Sequence, residues 1–366
     1  MRIAIIADPI DNQQAGVHVY TREMIKALLA QDKMNEYILI RQKRDQQFGA
    51  VKQLIVPSIS LPIGFASFRL FFIIPLLCIW HRVDAVIEPA HFGPFNLPRR
   101  IKRITVIHDL TPLLMPTLHR WHSQLLQRWF LPAILRRAAL IVTNSQHTAA
   151  DVHRLFPFAV TKTIVCYPGV EERFKPTIDP HILAQYGIKQ PYFLYVGTIE
   201  PRKNLAALVL AFDEFMSRSQ RPYTLVIAGA KGWKYKAFFK VLSTLQHSDK
   251  VSVIGYVDDA SLPALYSMCE AFFYVSQYEG FGFPVAEAMA CGVLSVVSNN
   301  SSLPEVGGDA VHYWNTTDTN DLASLMQTIT NHTLDLDSIK TKSIAQAKQF
   351  SWAAYGRLLS ERINGL

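Results

Sequence analysis

The stretch Tyr278-Glu279-Gly280-Phe281-Gly282-Phe283-Pro284-Val285-Ala286-Glu287-Ala288-Met289-Ala290-Cys291-Gly292 decides how this chain is read. Two carboxylates, Glu279 and Glu287, stand eight positions apart, with Gly280, Gly282 and Pro284 between them. Pro284 suits the first turn of a helix, because the amide it lacks would have no partner there. Gly280 and Gly282 let backbone approach a ligand with no Cβ in the way. The helix that follows is expected to open with amides and a positive dipole end turned toward an anion. Glu279 is expected in the loop before that helix and Glu287 one turn inside it. A phosphate held there would have a carboxylate on either side, each able to accept bonds from hydroxyls. Two solvated helix-end charges are the alternative, and the intervening Gly-Phe-Gly-Phe-Pro argues against it. Gly280-Phe281-Gly282 is not a dinucleotide fingerprint, since Val285 stands where the third glycine would fall.

Around this stretch, short apolar runs alternate with amphipathic helical patterns. Ile3–Ala7, Val83–Ile87, Ile104–Ile107 and Leu140–Thr143 read as strands in the first half. Tyr192–Val196, Thr224–Ala228, Val251–Ile254, Ala271–Val275 and Leu294–Ser298 read as a second series, with helical patterns between them. Such alternation predicts α/β architecture with parallel sheets, hence two Rossmann-like domains. Pro168–Gln190 is the best linker. The expected division is 1–168, 169–346 and a terminal helix in 347–366. A pattern from about Ile339 to Ile363 reads as one long helix. In open parallel sheets ligands bind beyond the C-terminal strand ends, so two facing domains would frame a cleft.

The strand-end loops carry the candidate chemistry. Gly197-Thr198-Ile199-Glu200-Pro201-Arg202-Lys203-Asn204 follows a strand and places Arg202 and Lys203 just before a helix, where they can neutralise a diphosphate. Ile107-His108-Asp109-Leu110-Thr111-Pro112 follows another strand, and Gly255-Tyr256-Val257 a third. Ala15-Gly16 precedes the first helix. Asn144 and Ser145 read as a turn or cap. Asp258-Asp259 before Ser261-Leu262-Pro263 reads as a helix start. Asp335-Leu336-Asp337 lies in a late connector and His119 with His122 lacks a third ligand, so no metal site is expected.

Glu279 through Glu287 resembles the E-x7-E element of retaining GT-B glycosyltransferases of family 4. The Gly197–Leu205 loop resembles that family's phosphate grip, especially in its bacterial mannosyltransferase-like subset. The resemblance runs from Gly16 to about Leu325 and is densest between Tyr192 and Asp309. It implies the GT-B fold, with the terminal helix crossing back to the N-terminal domain. It also implies retaining transfer of a hexose from a nucleotide diphosphate-sugar to a hydroxyl. The family lysine maps onto Lys203, while Thr198 stands where many members carry an arginine. The resemblance puts His108 at the reaction face, with Asp109 beside it orienting it or meeting the acceptor. It puts Gly16 and the amides of Phe281–Phe283 at the phosphates, and Tyr256 and Val257 at the base. Ser301 to Ala310 matches as well and is expected to brace the cleft, with Glu305 as a carboxylate supporting the residues that touch the ligand. No cofactor or metal is implied, the nucleotide sugar being the donor substrate. GDP-mannose is favoured over UDP-sugars, and the acceptor is expected to be a glycan or lipid-linked glycan. The retaining step implied is front-face displacement with no covalent nucleophile. A sugar-nucleotide epimerase, or a non-catalytic nucleotide-sugar binder, would share the architecture.

Composition narrows the classes further. The chain has 366 residues, 49% hydrophobic and 18% charged, enough for two buried cores and unlike a disordered chain. Cys78, Cys166, Cys269 and Cys291 show no Cys-x-x-Cys spacing and no disulfide framework, which points to a reducing cytosol. Met1–Ala7 reads as a buried strand, too short for a signal peptide. Residues 1–168 carry 20 Lys and Arg against 10 Asp and Glu, the remainder 17 against 19. The basic half, with clusters at Arg41–Arg44 and Arg99–Arg103, suggests an anionic membrane surface or phosphorylated acceptor. Each cluster taken singly reads as a solvated face. Nucleic acid is disfavoured by the lack of aromatic–basic interleaving. Leu61–Trp80 is apolar, but its uncharged core Leu70–Trp80 is eleven residues, against the roughly 20 that span a bilayer. A peripheral place on the cytoplasmic membrane face is the expectation.

Overall fold

The computed structural model describes residues 1–12, 16–57, 68–91, 93–94, 96–118, 121–315, 318–331 and 335–366. The chain divides into two compact units, Met1–Gly169 with Ser351–Leu366, and Val170–Phe350. Strands of the first unit are β1 (Arg2–Ile6), β2 (Glu36–Arg41), β3 (Lys52–Ile55), β4 (Ala85–Glu88), β5 (Lys102–Ile107), β6 (Leu140–Thr143) and β7 (Thr163–Val165). Among the described residues they form a seven-stranded parallel sheet in the order β3-β2-β1-β4-β5-β6-β7. The second unit has β8 (Tyr192–Val196), β9 (Thr224–Ala228), β10 (Val251–Gly255), β11 (Ala271–Tyr274), β12 (Ser295–Ser298) and β13 (His312–Trp314). Their order is β10-β9-β8-β11-β12-β13, again parallel.

The central strands are buried on both faces and therefore read as continuous apolar runs. Ile3, Ala4 and Ile5 of β1, and Phe193, Leu194 and Tyr195 of β8, are fully buried. In each sheet the chain moves outward to one side and then returns to the other. The reversal falls between β1 and β4 in the first unit and between β8 and β11 in the second. The loops leaving those strands thus flank the switch point at which open α/β sheets bind ligands.

Several expectations are corrected. The basic clusters are not wholly solvated. Arg41 is 2% exposed and pairs with Asp11 at 2.7 Å, and Arg103 is 3% exposed and pairs with Glu88 at 2.8 Å. Arg69, which interrupts the apolar run, is buried against Asp8. The expected long terminal helix is two helices, Leu336–Ala347 in the second unit and Trp352–Asn364 in the first. Ser351 caps the latter by accepting from the Ala354 amide. That helix packs on Gly16–Gln31, where Tyr20 and Tyr355 share a hydroxyl bond of 2.5 Å. At Gly356 a Cβ would come within 2.6 Å of the Ala27 carbonyl oxygen, so the two helices meet at van der Waals limits. Ala15, residues 61–67 of the apolar run, His119 and Arg120 lie outside the described residues.

Candidate active site

The second unit gathers an ionic cluster at its switch point. The loop after β8 folds into a helical turn, Pro201–Lys203, and Asn204 follows in the left-handed region at φ 55° before the Leu205–Arg218 helix. The loop after β11 brings Glu279 to the same place. Its Oε1 accepts from Lys203 Nζ at 2.6 Å and its Oε2 from Arg202 Nη1 at 2.8 Å. Lys203 Nζ also donates to the Tyr274 hydroxyl at 2.6 Å. Arg202 turns its other edge to Glu200 Oε1, at 2.8 and 3.1 Å, and donates to the Tyr278 carbonyl at 2.6 Å. Ser301 and Ser302 hold the Glu279 backbone, Ser301 Oγ accepting from its amide and Ser302 Oγ donating to its carbonyl.

Lys203 is 7% exposed and Glu279 6%, so this grip is buried and already internally paired. The reason lies in the two intervening carboxylates, since Glu200 and Glu279 balance Arg202 and Lys203 charge for charge. Burial alone would raise the Glu279 pKa, but Arg202 and Lys203 outweigh it and hold the carboxyl at about 2. Burial, with help from Arg202, lowers Lys203, while Glu279 and Glu200 oppose that shift. Burial raises Glu200 against the pull of Arg202 and Lys203. Thr198, where a family arginine is missing, lies in the same loop.

Shortly after Glu279 in the chain the helix Phe283–Ala290 opens, with Pro284 in its first turn as the sequence implies. Gly282 precedes it at φ 100°, a conformation that glycine adopts without strain. A Cβ there would also lie 2.8 Å from Leu303 Cδ2. Having no side chain, Gly282 itself offers no side-chain cap. Phe281 is buried against Phe350, with ring centroids 5.3 Å apart. Glu287 stands inside the helix and accepts from the Tyr266 hydroxyl at 3.0 Å, apart from the Arg202–Lys203 cluster. Burial pushes its carboxyl up to about 7, against the Tyr266 bond and Arg173. At the end of β10, Gly255 turns the chain at φ 76°, Tyr256 is 54% exposed and Val257 is buried.

The first unit builds a second constellation beyond β4 and β5. His108 is buried, and its Nε2 lies 2.6 Å from the Pro89 carbonyl oxygen. A carbonyl only accepts, so Nε2 carries the proton and Nδ1 is left as the ring's acceptor. Tyr20 packs edge-on against the ring at 4.6 Å. Burial, reinforced by His91, lowers the His108 pKa to about 4, which keeps the ring neutral at neutral pH. The backbone of that loop is held by His91, whose Nε2 accepts from the His108 amide at 2.7 Å and lies 3.5 Å from the Asp109 amide. Thr148 Oγ1 donates to the His108 carbonyl. Asp109 Oδ1 accepts from the amide and hydroxyl of Thr111 at 3.0 and 2.7 Å. Asp109 thus starts the short Thr111–Leu114 turn, a local structural use the sequence did not disclose. Gly16 is the first residue of the Gly16–Gln31 helix.

Glu200, Tyr274 and His91 were not singled out from the sequence, and Ser301 only as the first residue of the Ser301–Ala310 match. The alternating charges of Glu200-Pro201-Arg202 were the available signal for Glu200. His91 gave none, because its role depends on a backbone at φ 60° that folds it over a loop 17 residues on. The remaining candidates behave as caps. Ser145 accepts from the Thr148 amide, Asp258 bonds the amides of Ala260 and Ser261, and Asp335 caps Leu336–Ala347. Among the described residues no group of three His, Cys, Asp or Glu is placed to hold a metal ion.

These features can be set beside known proteins. The Glycosyltransferase Family 4 profile matches residues 15–174 and the Glycosyl transferases group 1 profile residues 180–342. O-antigen chain mannosyltransferase B of Escherichia coli is 31% identical, over 96% of each chain. The chain belongs to the family 4 GT-B glycosyltransferases. Within family 4 it falls in the bacterial mannosyltransferase-like subset. Two solved structures share the fold. Sucrose-phosphate synthase of Thermosynechococcus elongatus superposes with a TM-score of 0.78 at 17% identity, over 100% of this chain and 98% of that one. Anabaena HepE, solved with UDP-glucose, superposes with a TM-score of 0.77 at 18% identity over 100% of both. The two parallel-sheet units are thus the two Rossmann-like halves of GT-B.

Proposed function

We propose that this family 4 glycosyltransferase moves mannose from GDP-mannose to a hydroxyl of a lipid-linked glycan, in O-antigen-type surface polysaccharide synthesis at the cytoplasmic membrane face. Transfer proceeds with retention and without a divalent metal. The observation that carries the reading is the buried Glu200–Arg202–Glu279–Lys203 cluster at the β8–β11 switch point, whose Glu279 stands three residues before the helix start at Gly282. The similarity to an O-antigen mannosyltransferase supports the choice of sugar and acceptor.

In this reading the donor diphosphate adds its charge to a cluster that is neutral without it. Arg202 and Lys203 then face phosphate as well as carboxylate, and the Phe283–Ala290 helix turns its dipole toward the anion. As the C1–O bond to the β-phosphate breaks, negative charge grows on the departing oxygen where these groups are fixed in advance. The acceptor oxygen forms the new bond to C1 on the same face, and its proton passes to the departing phosphate. Neutral His108, with Nε2 committed to Pro89, accepts a hydroxyl bond at Nδ1 and does not act as an acid. Glu287 takes hydroxyls on the nucleoside side. The test is incubation of the purified chain with GDP-mannose or UDP-sugars and a lipid-linked acceptor, with and without EDTA. Mannosylated lipid in the presence of chelator is expected. Donor isomerisation alone would indicate an epimerase, and binding without turnover a non-catalytic sensor.

A further inference from the structure

We infer that one face of the first unit, formed by the outer sides of two helices, docks onto an anionic lipid bilayer. The inference rests on the proposed lipid-linked acceptor for its purpose and names the surface that reaches it. A helical turn, Arg69–Ile73, runs directly into the helix Ile74–Trp80. Arg69, Ile74 and Cys78 point inward and are buried. Phe68, Phe72, Leu76 and Trp80 recur every fourth residue on the other side and are 51, 55, 65 and 80% exposed. This is the reverse of a core helix, whose large apolar residues face in. The second helix, Trp121–Arg137, likewise exposes Leu125, Trp129 and Phe130, Trp129 at 71%.

Both helices cover the same side of the sheet. Ile74 and Cys78 pack with Ala4 and Val86, while Leu131 and Leu135 pack with Ile107 and Ile141. Ala4 pairs with Val86, Val86 with Arg103 and Thr105 with Ile141. Arg103, Thr105 and Ile107 alternate onto one face of β5, so all these residues share it. The exposed stripes therefore point outward from a common face. The loop between β4 and β5 joins them, Asn96 bonding the Phe71 carbonyl and Arg137 donating to the Leu97 carbonyl at 2.5 Å.

Charge selects the occupant. Arg99 and Arg100 are exposed on that same loop, Arg128 beside Trp129, and Arg82 just beyond Trp80, with Lys52 at 3.3 Å from His81. Exposed tryptophan and phenylalanine ringed by arginine and lysine match a headgroup boundary with anionic lipid. A second copy would set these cations against their own kind. No helix among the described residues is long and apolar enough to cross a membrane, so the contact is a surface one.

The full chain is sedimented with vesicles of phosphatidylcholine plus phosphatidylglycerol, and of phosphatidylcholine alone, across a salt series. The wild type should bind the anionic vesicles at low salt and release as exposed charges are screened. The Phe72→Ser/Leu76→Ser pair and the Arg99→Ser/Arg100→Ser pair should each weaken binding roughly ten-fold. Unchanged thermal melts would show that both variants remain folded. This readout needs no transfer activity, so it fails or succeeds independently of the donor assignment. Equal binding by the apolar variant, or no binding at low salt, would overturn the inference. A dimer seen by light scattering and dissolved by the same variant would assign the face to self-association instead.

Discussion

Glu279 has both oxygens engaged by cations, and that changes what Lys203 is for. Read from sequence, Lys203 is a loop cation that contributes to the diphosphate and little to the core. In the structure it is buried between Glu279 and Tyr274. Lys203→Ala should therefore strip donor binding and also destabilise the second unit by about 3 kcal/mol, because a buried carboxylate loses one of its two cations. Kinetics combined with a thermal melt check this, and an inactive variant with an unshifted melt would contradict it. The histidines make a second case. His108, held near 4 against an ordinary 6.5, contributes stability that is present above pH 6.5 and lost as pH falls toward 4. The loss should approach an order of 3 kcal/mol, at about 1.4 kcal/mol per unit. His108→Gln, which keeps a donor for Pro89, should flatten that part of the melt-versus-pH curve. His91 holds the His108 backbone amide at 2.7 Å and its ring also lies 5.4 Å from the His108 ring. His91→Asn tolerates the left-handed backbone but loses the reach of Nε2. It should lower kcat more than it raises the donor KM, and an equal change in both would point to a general structural defect.

At the scale of elements, the strands buried on both faces were legible because they are unbroken apolar runs. β3, β7 and β13 were not. β3 and β7 are half-exposed edge strands of four and three residues, and β13 is an edge strand of three. β2 has a plain buried-strand pattern, but the Arg41–Arg44 cluster at its end drew a surface reading that the Arg41–Asp11 pair corrects. The Phe283 helix start was readable to within one residue, at Pro284, since glycine and proline carry backbone preferences in the sequence itself. What was not readable there is the pairing that neutralises the cluster, because it joins loops some 76 residues apart. Gly282→Ala tests the element directly. Its φ of 100° and the 2.8 Å approach to Leu303 should cost roughly 1–3 kcal/mol in the melt. GDP affinity should fall with it, as the helix start tilts away from the phosphate. An unchanged affinity with a lowered melt would remove that helix start from the donor site.

For the whole molecule, the chain leaves its second unit at Phe350 and returns its last sixteen residues to the first. Composition and period marked a terminal helix, but its break at Ser351 and its bond to Tyr20 depend on packing that no local pattern encodes. Truncation after Phe350 should therefore destabilise the first unit, exposing Tyr20 and the ring packing on His108, while GDP still raises the melt of the second by mass action. A melt of the first unit insensitive to the truncation would contradict this. The central claim is that the paired cluster after β8 and β11 serves retaining transfer of mannose, and the anomeric configuration of the product tests it most directly. GDP-α-mannose and a lipid-linked acceptor, incubated with the purified chain in EDTA and analysed by NMR, should give an α-linked mannoside. A β-linked product, or transfer only from a UDP-sugar or only with added metal, would contradict the account.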